Sequence, residues 1–156
     1  MALVFAALFL LALVPMPALA ADAGPVDEPK VSPRAPAPAS AETRYNEGAV
    51  WAQKKDWRQA ETAYTDATRL RPAFAEAWNG LGFALRNQGR YDESIRAYRE
   101  ALRLRPNFPQ ALEYLGHAYV QMGRLEEAKA VLGRLRSLDP READELAQAI
   151  ARAARR

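Results

Sequence analysis

The feature that most constrains this chain is a group of residues that recurs every 34 positions. Two sets keep this spacing, namely Pro72, Pro106 and Pro140, and Gly48, Gly82 and Gly116. A fixed period of roughly 20 to 50 residues is the signature of architectures in which one supersecondary unit is repeated and stacked. The sequence therefore predicts a repeat protein rather than a domain with a single closed core.

Each copy divides into two stretches that carry apolar residues at helix spacing. In the middle copy these residues are Trp78, Leu81 and Leu85, followed by Tyr91, Ile95, Tyr98 and Leu102. Gly89 and Gly123 fall between the two stretches, where a left-handed residue ends a helix. Lys55 takes that place in the first copy, at a predicted cost of about 1 kcal/mol relative to glycine. Each copy is thus predicted to be a helical hairpin.

The repeating positions also carry a specific residue pattern. The middle copy has Trp78, Leu81, Gly82, Leu85, Ser94, Tyr98, Ala101 and Pro106, and the last has Leu112, Leu115, Gly116, Tyr119, Ala128, Leu132, Leu135 and Pro140. The first keeps Gly48, Trp51, Ala60, Tyr64, Ala67 and Pro72, but has Arg44 and Glu47 where Trp and Leu are expected. This pattern resembles the tetratricopeptide repeat.

The resemblance implies an all-α fold, a right-handed superhelical stack of three hairpins over residues 41–74, 75–108 and 109–140. Cap signals support the helix starts, at Asp56 with Gln59, Asn107 with Gln110, and Asp139 with Glu142. The last signal opens a further helix over residues 141–156, and its apolar stripe is Ala143, Leu146, Ala147, Ile150 and Ala154. We predict that this helix caps the open end of the stack.

The amino terminus has the pattern of a secretory signal peptide. Residues 2–14 are an apolar run of 13, followed by Pro15, Pro17 and the small-x-small motif Ala18-Leu19-Ala20. Such a run is shorter than the roughly 20 residues that span a bilayer, so cleavage after Ala20 and a periplasmic or secreted location are predicted. A retained anchor is the alternative, because no Lys or Arg precedes the run. Residues 21–40 hold five prolines and are predicted to be a linker without regular structure.

The composition argues against several classes of function. The chain has no cysteine and one histidine, so thiolate metal sites and convergent catalytic groups are not expected. We predict no enzyme activity, no cofactor, no metal and no small-molecule substrate. Lys and Arg exceed Asp and Glu by only 22 to 19, so nucleic acid is not an expected partner. Salt-dependent RNA binding would favour the rival class, an RNA-reading helical repeat.

The resemblance further implies that a ligand lies along the first helices of the hairpins. The positions that correspond are Glu42, Tyr45, Ala49, Ala52 and Gln53, then Glu76, Asn79, Phe83, Arg86 and Asn87, then Gln110, Glu113, His117, Val120 and Gln121. Among them we predict that the partner-binding residues are Tyr45, Asn79, Phe83, Arg86, Asn87, Glu113, His117 and Gln121. The two-carboxylate clamp of the family for chaperone tails is not expected, because its positions hold Tyr45, Ala49, Gln110 and Tyr114.

These features predict an exported adaptor or scaffold that binds a protein or peptide segment in a concave groove. The alternative is a membrane-tethered assembly factor of the cell envelope, which would contact the membrane only through an uncleaved amino terminus. Mature protein that begins at Ala21 would separate the two.

Overall fold

A computed structural model describes residues 39–155 of the chain. This range contains seven α-helices and no strand: α1 (Ala41–Gln53), α2 (Trp57–Leu70), α3 (Ala75–Asn87), α4 (Tyr91–Leu104), α5 (Pro109–Gln121), α6 (Leu125–Leu135) and α7 (Pro140–Ala153). None of these helices combines the length and the apolar character needed to cross a bilayer. The predicted signal peptide and most of the predicted linker lie outside the described residues.

The helices pack as consecutive hairpins. Each helix packs against the next one in the chain, and the first helices of successive hairpins also touch, α1 with α3 and α3 with α5. Helix α7 contacts both α5 and α6, as the first helix of a further hairpin would. The predicted fold class, a stack of three helical hairpins with a carboxyl-terminal helix on its end, is confirmed.

The turns inside the hairpins have the predicted left-handed residue. Gly89 has a φ of 77° and Gly123 a φ of 68°, and Lys55 adopts the same region with a φ of 60°. Glycine reaches this conformation without a steric penalty, whereas lysine does not. The first hairpin therefore carries backbone strain that the other two avoid.

The repeated glycines stand where two helices cross closely. A Cβ atom on Gly82 would lie 2.6 Å from Cε1 of Tyr98, and one on Gly48 would lie 2.7 Å from the Tyr64 ring. Such distances are well inside van der Waals contact, so a larger residue would push the two helices of a hairpin apart. At Gly48 and Gly82 the close approach is to a tyrosine ring of the second helix, whereas at Gly116 it is to Leu146 of α7.

Two of the three predicted helix caps are confirmed and one is wrong. The Asp56 side chain accepts a hydrogen bond from the Gln59 amide at 3.2 Å, and Asp139 accepts one from Glu142 at 3.1 Å. Asn107 does not cap α5, since Phe108 precedes the helix and makes no side-chain cap bond. Pro109 starts α5, and its fixed φ and missing amide hydrogen suit the first helical position without a side-chain acceptor.

The core is concentrated in the second and third hairpins and α7. Its largest cluster runs from Ala75 to Ile150 and contains the fully buried Tyr98, Leu112, Leu135 and Leu146. Helix α1 contributes only Ala41 and Gly48 as buried residues. The two departures from the repeat pattern in α1, Arg44 and Glu47, form a partly exposed ion pair at 2.8 Å.

Candidate functional site

The first helices of the three hairpins line a shallow depression, which we call the groove. Its volume is about 250 Å³, and its walls come from α1, α3 and α5, with Tyr64 of α2 beneath them. The lining residues are Tyr45, Ala49, Ala52, Gln53, Tyr64, Glu76, Asn79, Gly80, Phe83, Gln110 and Tyr114. Three of the predicted binding residues, Tyr45, Asn79 and Phe83, therefore share one surface.

Aromatic rings form the floor of the groove. The Tyr45 ring lies 5.7 Å from that of Tyr64, and the Phe83 ring lies 5.2 Å from that of Tyr114. Trp57 meets Phe83 edge-on at 5.6 Å. Rings that are already packed against one another offer apolar contact area at little cost in conformational entropy. This floor is suited to bind an apolar or aromatic side chain.

A chain of amide and hydroxyl groups crosses the groove. The Asn79 side chain donates to Oε1 of Gln110 at 3.1 Å, and Gln110 in turn donates to the Tyr114 hydroxyl at 3.2 Å. Asn79 is only 6% exposed, and its Oδ1 has no partner among the described residues. Asn79 thus positions Gln110 across the gap between α3 and α5.

Arg86 stands next to the aromatic floor. Its guanidinium lies 5.2 Å from the centre of the Tyr114 ring and 5.5 Å from that of Phe83, within the range of cation–π attraction. It forms no ion pair with any carboxylate in residues 39–155. Arg86 is therefore not held in a direct ion pair, although its charge acts on the nearby Glu113 carboxyl of α5.

Asn87 is separated from the other predicted residues. Its side chain donates to the Phe83 carbonyl oxygen at 2.8 Å, and it lines a different depression beside the α1–α2 turn, with Lys54 and Trp57. Asn87 lies one helical turn after Phe83, on the same face of α3, but beyond the residues that line the groove.

The inner face is the surface formed by the first helices of the hairpins. At its α5 end lie Glu113 and His117, two predicted partner-binding residues that titrate. Burial raises the pKa of Glu113 to about 7, with further increases from Glu142, Glu145 and Asp139, while Arg86 opposes the shift. Burial also lowers the pKa of His117, as do the nearby charges of Arg86 and Arg152. Glu113 is therefore close to half protonated at neutral pH.

His117 and Gln121 line a third depression, of about 450 Å³, between α5 and α7. Arg152 and Ala149 of α7 form its other wall. Helix α7 was predicted from the sequence only as a cap, and its contribution to this depression was not predicted. The helical stripe of small residues, Ala149 and Ala153, was the available signal, because small side chains leave room beside a neighbouring helix.

A repeated ion pair borders the groove, and it was not predicted from the sequence. Glu42 of α1 pairs with Arg71, and Glu76 of α3 pairs with Arg105, at the same separation of 29 residues. Arg71 in addition covers the Phe74 ring at 3.6 Å. In the third hairpin Gln110 replaces the glutamate and joins the amide chain instead. The predicted inner positions thus include carboxylates that are already paired.

Comparison with protein families identifies the repeated unit. Family models described as tetratricopeptide repeat match residues 63–96 and 110–142, and one described as TPR repeat matches residues 84–123. The chain contains tetratricopeptide repeats. The matched range begins inside the first hairpin, whose front half departs most from the repeat pattern. A search of curated protein sequences finds no match.

Solved structures with the same fold include tetratricopeptide domains of known complexes. The TPR2B domain of yeast Sti1, solved as a pHsp70 complex, is 26% identical, and the alignment covers 74% of this chain and 96% of that one with a TM-score of 0.69. The first TPR of Spaghetti (RPAP3), bound to the HSP90 peptide SRMEEVD, is 20% identical, with coverage of 75% and 94% and a TM-score of 0.71. The Arabidopsis OM64 TPR domain is 20% identical, with coverage of 72% and 95% and a TM-score of 0.69. The two domains that are 20% identical to this chain show that the fold is shared.

Proposed function

We propose that this protein is an exported adaptor that holds a segment of another protein in the groove. The observation that carries the proposal is the aromatic floor of Tyr45, Phe83 and Tyr114 beside an arginine without an ionic partner in the described chain. Packed aromatic rings next to a charged group are typical of the residues that dominate protein binding. Among the described residues, His, Asp and Glu nowhere gather in a group of three or more that could hold a metal ion.

The solved relatives support a binding role in general terms. The Sti1 domain was solved as a pHsp70 complex, and the Spaghetti domain was solved with a bound HSP90 peptide. This chain carries Tyr45, Ala49, Gln110 and Tyr114 at the positions where the chaperone clamp has its lysines, asparagine and arginine. All four line the groove, where they present two aromatic rings, one amide and one methyl group. We therefore propose a protein partner of a different kind, in the periplasm or outside the cell.

Site-specific crosslinking tests where the partner binds. A photoreactive amino acid at position 83 should capture a protein in the native cell envelope, because the Phe83 ring lies on the groove floor. The same amino acid at position 96, an exposed position on α4, is the control and should not capture that protein. Equal capture from both positions would argue against a specific groove interface.

Alanine substitution measures the contribution of the central residues. Replacing Phe83, Arg86 and Asn87 together should weaken binding of the captured partner by about 2 kcal/mol, roughly 30-fold, if they form a hot spot. A variant with Gln59→Ala and Arg96→Ala removes the same net charge from exposed positions of α2 and α4 and should bind normally. Binding is measured well below the melting temperature, because Phe83 also packs against Trp57 and its loss costs some stability.

Unchanged affinity in the triple variant would exclude the groove as the binding surface. The proposed location has a separate test, which is the amino-terminal sequence of protein recovered from its native cells. Chains that begin at Ala21 support export with cleavage, whereas chains that keep residues 1–20 in the membrane fraction support the tethered assembly factor instead.

A further inference from the structure

A cleft lies away from the groove, between the second helices α4 and α6, and we call it the outer cleft. Its volume is about 420 Å³, within the range of roughly 300 to 1,000 Å³ that is usual for small-ligand sites. The lining residues are Arg99, Leu102, Arg103, Leu115, Tyr119, Glu127, Ala130, Val131 and Arg134. None of them lines the groove.

Small residues on α6 open the outer cleft. Ala130 lines it and is exposed, and Gly133, three residues further on, is exposed as well. A Cβ atom on Gly133 would meet nothing within 4 Å. The equivalent positions on α4, 34 residues earlier, hold the long side chains of Arg96 and Arg99. The outer cleft is therefore a departure from the repeat and not a consequence of it.

The floor of the outer cleft is apolar. Leu102, Leu115 and Val131 form it, and each is less than a tenth exposed. The Tyr119 hydroxyl beside them already accepts hydrogen bonds from Nε and Nη2 of Arg99, at 3.2 and 2.8 Å. Both walls are helices, which offer a peptide no strand edge to pair with, and a polar backbone that is buried without partners is costly. An alkyl chain, which has no polar group along its length, suits this floor.

Two guanidinium groups at the rim are held in place by neutral partners. Arg99 bonds to a hydroxyl, as described above, and Nη2 of Arg134 donates to the Pro106 carbonyl oxygen at 2.8 Å. Neither arginine forms an ion pair with a carboxylate in residues 39–155. The equivalent positions 34 residues earlier hold Thr65 and Glu100. The positive rim is thus specific to this cleft.

The other charged groups at the rim are paired. Arg103 bonds to Glu100 at 2.7 Å, and Glu127 bonds to Arg124 at 2.7 Å. The hydrogen bond from Arg124 lowers the pKa of Glu127, and the charge of Arg99 lowers it further. The lining residues therefore comprise three arginines and one glutamate, which favours an anion over a cation.

We propose that the outer cleft binds the anion of a fatty acid, with its alkyl chain on Leu102, Leu115 and Val131 and its carboxylate between Arg99 and Arg134. A single free molecule is the proposed ligand, because the apolar floor is recessed below long side chains and a flat bilayer cannot reach it. The ligand is bound and not chemically changed. This inference goes beyond the proposed function, since the outer cleft and the groove share no residue.

Isothermal titration calorimetry of the full chain with decanoate, below its micelle concentration, tests the ligand class. Decanol and decyltrimethylammonium have the same chain length with a neutral and a cationic head. Decanoate should bind at one saturable site, and decanol should bind at least about tenfold more weakly because it lacks the charge-assisted hydrogen bonds. The cation should bind more weakly still. Equal or tighter binding of either control, or no saturable binding of decanoate, would overturn the inference.

Substitutions locate the ligand. Arg99→Gln and Arg134→Gln should each weaken decanoate binding several-fold, whereas Arg96→Gln removes the same charge from an exposed position outside the cleft and should have little effect. Ala130→Leu should fill the cleft and abolish binding. Its matched control is Thr62→Leu, at the equivalent exposed position of α2. Full binding in Ala130→Leu, or an equal loss in Arg96→Gln and Arg134→Gln, would contradict the proposal.

Two further measurements separate this proposal from its rivals. Vesicles of phosphatidylcholine and phosphatidylglycerol test a membrane source, and binding of vesicles through Arg134 without binding of decanoate would overturn the inference. The alanine variant of Phe83, Arg86 and Asn87 should bind decanoate normally, and Ala130→Leu should still capture the partner that crosslinks at position 83. Loss of decanoate binding in the triple variant would place the alkyl chain in the groove and exclude the outer cleft.

Discussion

The protonation of the Glu113 carboxyl makes the stability of the folded chain depend on pH. Its pKa in the folded protein is about 7, above the ordinary value of 4.5, chiefly because it is buried. A group with a raised folded pKa binds more protons in the folded state, so its contribution to stability is full below about pH 4.5 and is lost as the pH rises through about 7. Stability should therefore fall over this window because of Glu113.

Glu113→Gln removes this pH dependence. The difference in unfolding free energy between the variant and the wild type should be about 1 kcal/mol more favourable to the variant at pH 8 than at pH 4. Solvent screening keeps this value small because the Glu113 side chain is half-exposed. Urea denaturation at both pH values measures the difference. His117 titrates in both proteins and contributes with the opposite sign, so its effect largely cancels in the comparison. A stability difference that is the same at both pH values would contradict the prediction.

Ser94 is a polar residue in a position that otherwise takes alanine. Its side chain is fully buried, and its hydroxyl has no hydrogen-bond partner in the described structure. The corresponding residues of the other hairpins are Ala60 and Ala128, both fully buried. Ser94→Ala should raise the unfolding free energy by about 1 kcal/mol, because an unpaired buried hydroxyl is costly. Ala128→Ser is the mirror variant and should lose a similar amount; a stabilising Ala128→Ser would show that the site holds water.

At the scale of the elements, α7 is bound to the stack by a small apolar stripe. Ala143, Leu146 and Ile150 are buried against α5 and α6, and Leu146 fills the space above Gly116. Deletion of residues 141–156 should expose Leu132 and Leu135, lower the unfolding free energy and promote self-association. Chemical denaturation and analytical ultracentrifugation measure both effects. A truncated chain that stays monomeric and equally stable would contradict this role.

The helices were predictable from the sequence because local chemistry determines them. Gly89 and Gly123 were correctly predicted to end the first helices of their hairpins in the left-handed region, and Lys55 was correctly placed in the same turn of the first hairpin. Asn107 misled the prediction of a cap because Pro109 starts α5 without one. Local signals of this kind compete with each other, and the proline has the stronger effect on the backbone.

The groove was less predictable, because its properties depend on pairs of residues far apart in the chain. Repeat positions indicated Tyr45, Asn79 and Phe83, which do share the groove surface. They could not indicate that Asn79 bonds to Gln110, or that Glu76 is neutralised by Arg105. Gln110 lies in the next hairpin, and Arg105 lies at the far end of the hairpin that contains Glu76. Only the folded stack brings these residues together.

Across the whole molecule, packing is uneven. The largest buried cluster joins α3 to α7, while α1 contributes only two buried residues, and the first hairpin also holds the strained Lys55. In a stack whose stability is a sum over repeats and their interfaces, the least packed unit opens first. Native-state hydrogen exchange should therefore be faster for the amides of α1 and α2 than for those of α4 and α5.

Lys55→Gly tests whether the strained turn contributes to this gradient. Glycine adopts the observed φ of 60° without a steric penalty, so the substitution should stabilise the first hairpin by about 1 kcal/mol and slow exchange in α1 and α2 about fivefold. Exchange in α5 and α6 should not change, because these helices open independently of the first hairpin. The reciprocal variant, Gly89→Lys, introduces the same strain at a φ of 77° and should accelerate exchange in α3 and α4. If Lys55→Gly slowed exchange equally in every helix, the stack would open as a single cooperative unit, and the weakness of the first hairpin would have no separate dynamic consequence.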